Sequence, residues 1–248
     1  DRSILSLLLE PIKLELSLSD SQLGLLGGLA FAVFYTFLGI PIAALADRRS
    51  RVKILAVSMV IWSAMTAVCG LATNFWMLLM ARIGVGVGEA GASPPSHSLI
   101  SDYFPIDKRA TALSIYALGI PFGTMIGSYV GGWGADELGW RYTFFLVGIP
   151  GIFVALIIAL TLREPPRGLS DVKPVLNTAQ KAAAEAAPKP EAPHVKEVLN
   201  FLWAKVSFRH LSFAAGLHAF VSYGASTWNA PFFTRIHSMS STDLGAAL

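Results

Sequence analysis

The sequence predicts an all-α membrane protein, and three observations lead to that class. The 248 residues are 54% hydrophobic and only 14% charged, whereas a soluble domain is about 45–50% apolar and about 25% charged. The apolar residues are gathered in runs of about 20 residues, which is the length that a helix needs to cross a bilayer. Lysine and arginine are concentrated in alternate loops between those runs, as is typical of multi-pass membrane proteins.

Five apolar runs before residue 163 are long enough to span a membrane as helices. They are residues 22–45, 52–72, 75–103, 110–135 and 141–162. A shorter apolar segment at 4–9 ends at Glu10 and Pro11, and we interpret it as the end of a partial first helix. Residues 211–233 form one further run. Counting the partial helix, the sequence predicts seven spans.

The stretch from residue 163 to about residue 205 has a different composition. It carries six prolines and an alanine-rich piece at 179–187, which is typical of a flexible linker that buries no core. Apolar residues recur at helical spacing within 195–205, which indicates a short amphipathic helix in the membrane interface. A lead-in to the next span is an equally good interpretation. We therefore predict a helix bundle at 1–162, a linker at 163–206 and the start of a second bundle at 207–248.

The distribution of positive charge predicts the orientation. Fourteen of the 19 lysines and arginines lie in the turn at 46–53, the loop at 104–109 and the linker through Arg209. Three lie in the loops of the opposite side. Loops rich in lysine and arginine stay in the cytoplasm, so we expect a cytoplasmic linker. The expected location is the inner (plasma) membrane of a bacterium.

One internal repeat supports a second bundle. Residues 17–24 read SLSDSQLG and residues 238–245 read SMSSTDLG, so four of the eight positions are identical. The first copy precedes the first full span, and Ser19 and Asp20 are candidates for its N-cap. Parallel repeats of this kind occur in transporters. We expect the chain to be part of a longer transporter.

The stretch from Arg82 to Pro95 fits the G-x-G-x-x-G spacing of a dinucleotide-binding turn. That turn requires a strand before it and a βαβ frame around it, whereas here it lies inside one long apolar run. Gly84, Gly88 and Ala92 are four residues apart and share one helix face, where small residues let another helix approach closely. We therefore predict helix packing, with a kink caused by Pro94 and the proline after it.

Glu89 lies 15 residues past the polar break at Asn74, which places it about 22 Å into the membrane. A carboxylate at that depth is costly and suggests a functional role. A structural ion pair with Arg82 is the alternative. The Cα atoms of Arg82 and Glu89 are about 10 Å apart along the helix axis, so we expect the partner of Glu89 to lie on another helix. Arg82 is a functional candidate for the same reason.

Two further charge groups are candidates. Asp1 and Arg2 lie about 14 Å or more from the outer end of a helix that ends near Pro11, which is mid-membrane; a loop outside the bilayer is the alternative. Asp47, Arg48 and Arg51 form a charged turn, and control of topology is an equally good explanation of them.

Several classes of function are excluded at this stage. The single cysteine, Cys69, rules out a disulfide framework and a cysteine-based metal site, and the five histidines lack ligand spacing. We expect no cofactor. No cluster of nucleophile and base indicates an enzyme. The basic residues border apolar runs and form no face for nucleic acid.

The glycines from Gly119 to Gly132 indicate a close-packing surface, and packing is the favoured role of Trp228.

Several motifs resemble those of the major facilitator superfamily. The Asp47–Arg51 turn is similar to its cytoplasmic loop motif, although Ala43 and Ser50 stand where the family has glycine. Arg82 to Gly86 resembles its fourth-helix signature, and 119–132 its fifth-helix signature less closely. Asp1-Arg2, Gly88-Glu89-Ala90 and Asp102-Tyr103-Phe104-Pro105 resemble spinster-type members.

The resemblance implies two six-helix halves around a central cavity, of which this chain would hold the N-terminal half, with its first helix partial, and the first helix of the C-terminal half. It implies proton-coupling roles for Asp1 and Glu89, with Arg2 and Arg82 as charge partners in the cavity. It also implies a cytoplasmic gate of Asp47, Arg48 and Arg51. The substrate-binding residues stay unknown.

The sequence therefore predicts a monomeric, proton-coupled secondary transporter. The resemblance implies an amphipathic anionic substrate, such as a lysophospholipid or a sphingolipid phosphate. A proton symporter of small organic anions such as sugar acids is the first alternative, and a non-transporting membrane receptor is the second. Lipid, protons and the transported molecule are the expected partners, and nucleic acid is not.

Overall fold

The computed structural model describes residues 4–171 and 195–247, and within those ranges all regular structure is helical. The helices are α1 (Ile4–Leu16), α2 (Asp20–Gly24), α3 (Ala30–Arg48), α4 (Arg51–Cys69), α5 (Phe75–Glu89), α6 (Ser93–Tyr103), α7 (Ile106–Glu137), α8 (Trp140–Thr161), α9 (Val195–Ala204), α10 (Val206–His237) and α11 (Ser241–Ala247). A π-helical turn, Leu25–Leu29, joins α2 to α3 without a break. The predicted all-α membrane fold is confirmed.

The chain forms two compact units. The first contains Asp1–Ser170 together with Gly224–Leu248, and the second is Asp171–Tyr223. In the described part of the chain, the first unit holds α1 to α8, the last part of α10 and α11. The second holds α9 and the first part of α10. The domain boundaries at 162 and 206 stay predictions.

Five segments are long and apolar enough to cross a membrane. They are Asp20–Arg48, Arg51–Cys69, Phe75–Tyr103, Ile106–Glu137 and Trp140–Thr161, and each contains or closely matches one of the predicted full spans. The helix α10 is 32 residues long, but it carries many polar side chains and is not among them. That α10 crosses the membrane stays a prediction.

The first helix differs from the prediction. It continues past Pro11 and ends at Leu16, although proline removes a backbone donor from a helix interior. Its side chains explain why it persists, because Leu8, Leu9 and Ile12 are buried in the main core. The close packing of these side chains against the core offsets the one lost hydrogen bond.

The two copies of the internal repeat fold in the same way. Ser17 and Ser238 are the two non-glycine residues with positive φ in the described chain, at 52° and 53°. Two positions later, the Ser19 hydroxyl accepts a hydrogen bond from the Gln22 N–H at 3.3 Å. Its counterpart Ser240 accepts one from the Asp243 N–H at 3.1 Å. The sequence repeat is therefore a repeat of turn and cap geometry.

Glycines bring α4 into backbone contact with α5. A Cβ atom added at Gly88 would lie 2.5 Å from the backbone nitrogen of Trp62, and one added at Gly84 would lie 2.6 Å from the Met65 side chain. These contacts confirm the predicted packing face. On the other side of α4, a Cβ atom at Gly148 of α8 would lie 2.7 Å from the backbone nitrogen of Ala67.

The predicted packing surface on α7 is confirmed at one end. A Cβ atom at Gly131 would lie 2.7 Å from Ile4, and one at Gly132 would overlap the Ser241 carbonyl. A Cβ atom added at Gly119 or Gly123 would meet no other element of the described chain within 4 Å. Close packing there stays a prediction, because the glycine spacing marks a smooth face without specifying which neighbour covers it. Trp228, in contrast, packs against the main core as expected.

The amphipathic segment forms α9, and its apolar side chains are exposed. Leu199, Phe201 and Trp203 are among the exposed large side chains, and the Lys205 ammonium lies 4.9 Å from the centre of the Phe201 ring. Only Lys205 separates α9 from α10. Its placement in the membrane interface stays a prediction.

We predict that Gly88→Ala destabilises the bundle more than Gly84→Ala. The new methyl group at 88 meets the α4 backbone, which cannot move alone, whereas the one at 84 meets a flexible methionine. Overpacking of this kind costs about 1–3 kcal/mol. Thermal unfolding of the full-length protein in detergent measures the difference. Equal melting temperatures for the two variants would contradict the packing described above.

Candidate functional site

Arg82 is buried inside the membrane-spanning bundle. It lies in the middle of α5 and is 1% exposed. Its Nε atom donates a long hydrogen bond of 3.5 Å to the carbonyl of Leu26, which belongs to the π-helical turn. Its guanidinium carbon also lies 5.9 Å from the centre of the Phe31 ring. Both groups belong to the neighbouring membrane helix, and a charge partner for Glu89 on another helix stays a prediction.

A glycine places Phe31 beside Arg82. Gly86 lies one turn after Arg82 on α5, and a Cβ atom there would lie 3.0 Å from the Phe31 carbonyl. The absence of a side chain at 86 therefore lets α3 approach α5 closely. The glycine-rich stretch thus has two functions: Gly84 and Gly88 contact α4, and Gly86 brings an aromatic ring to a buried cation.

Glu89 is the last residue of α5, and the helix is interrupted immediately after it. Residues 90–92 form a turn, and α6 begins at Ser93 with prolines in its first turn. A Cβ atom at Gly91 would overlap the Ser58 hydroxyl of α4, so the interruption is packed against the bundle. Glu89 is partly buried. The predicted kink is therefore a short turn at residues 90–92, which begins one residue after the carboxylate and lies within the single span Phe75–Tyr103.

Other predicted site residues have different surroundings. Asp1 and Arg2 lie outside the described residues. Asp47 and Arg48 are exposed at the end of α3. Arg51, the third residue of the predicted gate, is 1% exposed, and the gate stays a prediction.

Arg51 is the centre of a buried charge network at the N-terminal end of α4. Its Nε donates to the Glu164 carboxylate at 2.7 Å, and its two terminal nitrogens donate to the Ser98 hydroxyl at 2.8 Å and the Pro165 carbonyl at 2.9 Å. It also forms an ion pair with Asp102. The cation is thus paired with two carboxylates, as burial of a charge requires.

The stretch just after α8 completes this network. The Glu164 carboxylate accepts hydrogen bonds from the Val52 N–H at 3.0 Å and the Ser50 hydroxyl at 2.8 Å, so it caps the N-terminus of α4. Asp102 accepts the Gly168 N–H at 2.9 Å. Gly168 has a φ of 68°, a conformation that other residues rarely adopt. Arg167 donates to the Ala46 carbonyl at 2.6 Å.

Glu164 and Arg167 are functional residues that the sequence did not predict. Both lie in the predicted linker at 163–206, whereas residues 163–170 bond to the bundle and belong to its compact unit. Asp102 was named only for its place in a family resemblance. The available signal was the sequence Arg-Glu-Pro-Pro-Arg directly after an apolar run, because charges beside a rigid proline pair are suited to a fixed contact.

Burial raises the pKa of the Glu164 carboxyl, but hydrogen bonds from Val52, Arg51 and Ser50 outweigh that effect, so the pKa is below its usual value of 4.5. A lowered pKa in the folded state means that the ionised form is bound more tightly than the protonated one. Glu164 therefore stabilises the fold at pH values above 4.5, and that contribution is lost as the pH falls through the folded-state pKa.

The sequence profile of the Major Facilitator Superfamily matches residues 1–248. The chain belongs to the major facilitator superfamily. Proteins of this superfamily that resemble the chain are transporters rather than enzymes, and the charged turn, the buried Arg82 and the helix break are therefore features of a facilitator bundle.

Individual members of the superfamily are similar over most of the chain. The crystal structure of a bacterial homologue of the human lysosomal transporter spinster, inward-facing and unoccupied, is 40% identical with a TM-score of 0.82, over 99% of this chain and 54% of that one. Spinster homolog 1 of Xenopus laevis is 32% identical over 75% of this chain and 36% of its own length. The probable L-galactonate transporter of Escherichia coli is 31% identical over 63% and 34%.

The chain thus spans about half the length of the solved relative and about a third of the length of the other two. It is a spinster-like facilitator chain in sequence and in fold.

We predict that Glu164→Gln reduces thermal stability at pH 7 and that this loss becomes smaller as the pH falls below 4.5. At pH 7 the substitution removes an ionised carboxylate that holds Arg51 and the α4 N-terminus. As the pH falls through the folded-state pKa, the parent carboxyl becomes protonated, so the two proteins converge. Melting temperatures of the full-length protein across this range provide the measurement, with Glu137→Gln, an exposed carboxylate, as control. A stability difference that is constant with pH would contradict the assignment.

Proposed function

We propose that this chain is part of a proton-coupled secondary transporter that moves an amphipathic anion, such as a lysophospholipid or a sphingolipid phosphate, by alternating access. Glu89 and Asp1 carry the transported proton. Arg82 and Arg2 are their charge partners, and Asp47, Arg48 and Arg51 form the cytoplasmic gate. The protein acts as a monomer in a bacterial plasma membrane, with residues 163–206 in the cytoplasm.

The observation that carries this proposal is the buried Arg82 followed by Glu89 at a break in the same membrane helix. Ionisable residues within a membrane are costly and mark ion or substrate paths. An interrupted helix within the membrane is typical of transporter sites, since it allows local movement. A spinster-like bundle that places both features in one helix supports a transport role for the pair.

The choice of an amphipathic anion rests on a groove between α6 and α7. It has a volume of about 600 Å³ and is lined mainly by apolar side chains, including Phe104, Ile115 and Tyr116, with Lys108 as its one charged lining residue. An acyl chain fits apolar walls, and a phosphate or carboxylate fits the lysine. The sequence relationship to spinster proteins favours the same class.

A small organic anion, such as a sugar acid, is the second candidate. It is favoured by the similarity to the probable L-galactonate transporter. A site for such a polar molecule requires several hydrogen-bonding side chains around one cavity, whereas the groove between α6 and α7 offers few. A non-transporting receptor would bind its ligand without any flux across the membrane.

We predict that Glu89→Gln abolishes proton-driven uptake by the full-length protein in proteoliposomes. Glutamine keeps the size and polarity of glutamate but cannot gain or lose a proton. Counterflow driven by substrate alone should persist, because it needs no net proton movement. Glu137→Gln is the matched control and should keep full activity. Undiminished proton-driven uptake by the Glu89 variant would refute the coupling role, and no flux from the parent protein with any substrate would favour a receptor.

We predict that lysophospholipids raise the melting temperature of the full-length protein more than sugar acids do. Lys108→Gln should reduce that shift for phosphate-bearing lipids, since it removes the cation of the groove, and leave the shift for a neutral lysolipid analogue intact. Thermal unfolding against a panel of both ligand classes measures the effect. Stabilisation by galactonate or hexuronates and not by lysolipids would establish the second candidate.

A further inference from the structure

A histidine lies at one end of the groove between α6 and α7. His97 is an exposed residue of α6, inside the membrane span Phe75–Tyr103. It precedes Ile100 and Phe104, which line the groove, by three and seven residues, and residues at this spacing share one face of a helix. Ionisable side chains inside a membrane span mark substrate or ion paths, but the proposed function gives His97 no role.

The backbone of α6 determines which ring nitrogen of His97 carries a hydrogen. The Nδ1 atom lies 2.8 Å from the Ser93 carbonyl oxygen, one turn earlier. A carbonyl oxygen only accepts hydrogen bonds, so Nδ1 must be the donor. In the neutral imidazole the second nitrogen, Nε2, is then an acceptor. Within the described chain, Ser93 is the one hydrogen-bond partner of this ring, so Nε2 is available to a ligand.

A tyrosine of α7 holds the same ring from the other side of the groove. The ring centres of His97 and Tyr116 are 5.4 Å apart and their planes meet at 74°, which is the edge-to-face arrangement that aromatic rings prefer. Tyr116 itself lines the groove. The imidazole is therefore positioned by two neighbours, Ser93 through Nδ1 and Tyr116 through the ring, as a binding group requires.

The cation of the groove lies toward its opposite end. Lys108 is in the first turn of α7, and Tyr116 follows it by eight residues, or about 12 Å along the helix axis. Apolar side chains, including Ile100 and Ile115, line the groove between them. The lysine stem is long and flexible, so the ammonium can reach toward the histidine. The groove thus offers a cationic donor and, at the His97 end, a fixed acceptor.

We propose that His97 contacts the substrate, and that its Nε2 accepts a hydrogen bond from a hydroxyl or ammonium group while Lys108 binds the anionic group of the same molecule. This inference rests on the proposed function, since it takes the groove as the substrate site, and it adds the kind of head group that is selected. The substrate is then an amphipathic anion with a hydrogen-bond donor in its head group. A site with a fixed acceptor discriminates against analogues that lack the donor, because the acceptor is left unpaired.

Two lysolipids that differ in one hydroxyl test this proposal. A 1-acyl lysophosphatidic acid and its 2-deoxy analogue carry the same phosphate and acyl chain, so only the first can donate to Nε2. Calorimetric titration of the full-length protein at pH 8, where an ordinary imidazole is neutral, measures both affinities. The parent protein should bind the hydroxylated lipid about fivefold more tightly, which is the ratio that one net hydrogen bond gives.

Three variants separate recognition from structure. His97→Phe keeps an aromatic ring beside Tyr116 but has no acceptor, so it should abolish the preference and leave the affinity for the 2-deoxy lipid unchanged. His97→Gln, whose amide oxygen accepts hydrogen bonds, should restore part of the preference. Lys108→Gln should weaken both lipids by the same factor. The matched control Glu137→Gln should bind both lipids as the parent protein does.

Equal binding of the two lipids by the parent protein would overturn the role of His97 and leave the proposed function intact. An equal loss of both lipids in His97→Phe and in His97→Gln would show that the histidine only supports the structure, which also overturns the proposal. Binding of neither lipid by the parent protein would refute the lipid cargo and this inference together.

Discussion

Backbone contact between α4 and its two neighbours determines how the bundle is arranged. Side chains normally keep helix axes 8–10 Å apart, but Gly88 on α5 and Gly148 on α8 leave no room for even a methyl group against α4. In a membrane, where apolar burial gives no drive toward association, such close packing is the main source of helix affinity. The same glycine-rich face of α5 places Arg82 and Glu89, so the function of the site depends on the packing of α4.

Arg51 and Arg82 are both buried, and the groups around them differ. Arg51 is held by two carboxylates from distant parts of the chain, which fixes the turn before α4, the end of α6 and the stretch after α8 as one body. Arg82 contacts the Leu26 carbonyl and the Phe31 ring, both from the neighbouring membrane helix.

Much of the fold could be predicted because it depends on local pattern. Apolar runs near 20 residues identify spans, small residues four apart identify the face of α5 that meets α4, and the serine-rich repeat predicts two similar caps. The partners of Arg51 could not be predicted in this way. Glu164 is separated from Arg51 by more than a hundred residues, and nothing in its local sequence indicates which helix end it will reach. The persistence of α1 beyond Pro11 likewise depends on tertiary burial, which overrides a local signal.

The π-helical turn at Leu25–Leu29 gives one membrane helix two contact faces that point in different directions. An additional residue within a helical turn rotates every later side chain by about 100° relative to the earlier ones. Gly24 and Gly27 face Trp228 and Thr227 of α10, whereas the Leu26 carbonyl and Phe31 face Arg82 and Gly86 of α5. The extra residue of the π-helical turn sets the angle between these two faces, so that one membrane helix reaches both the second repeat and the charged site.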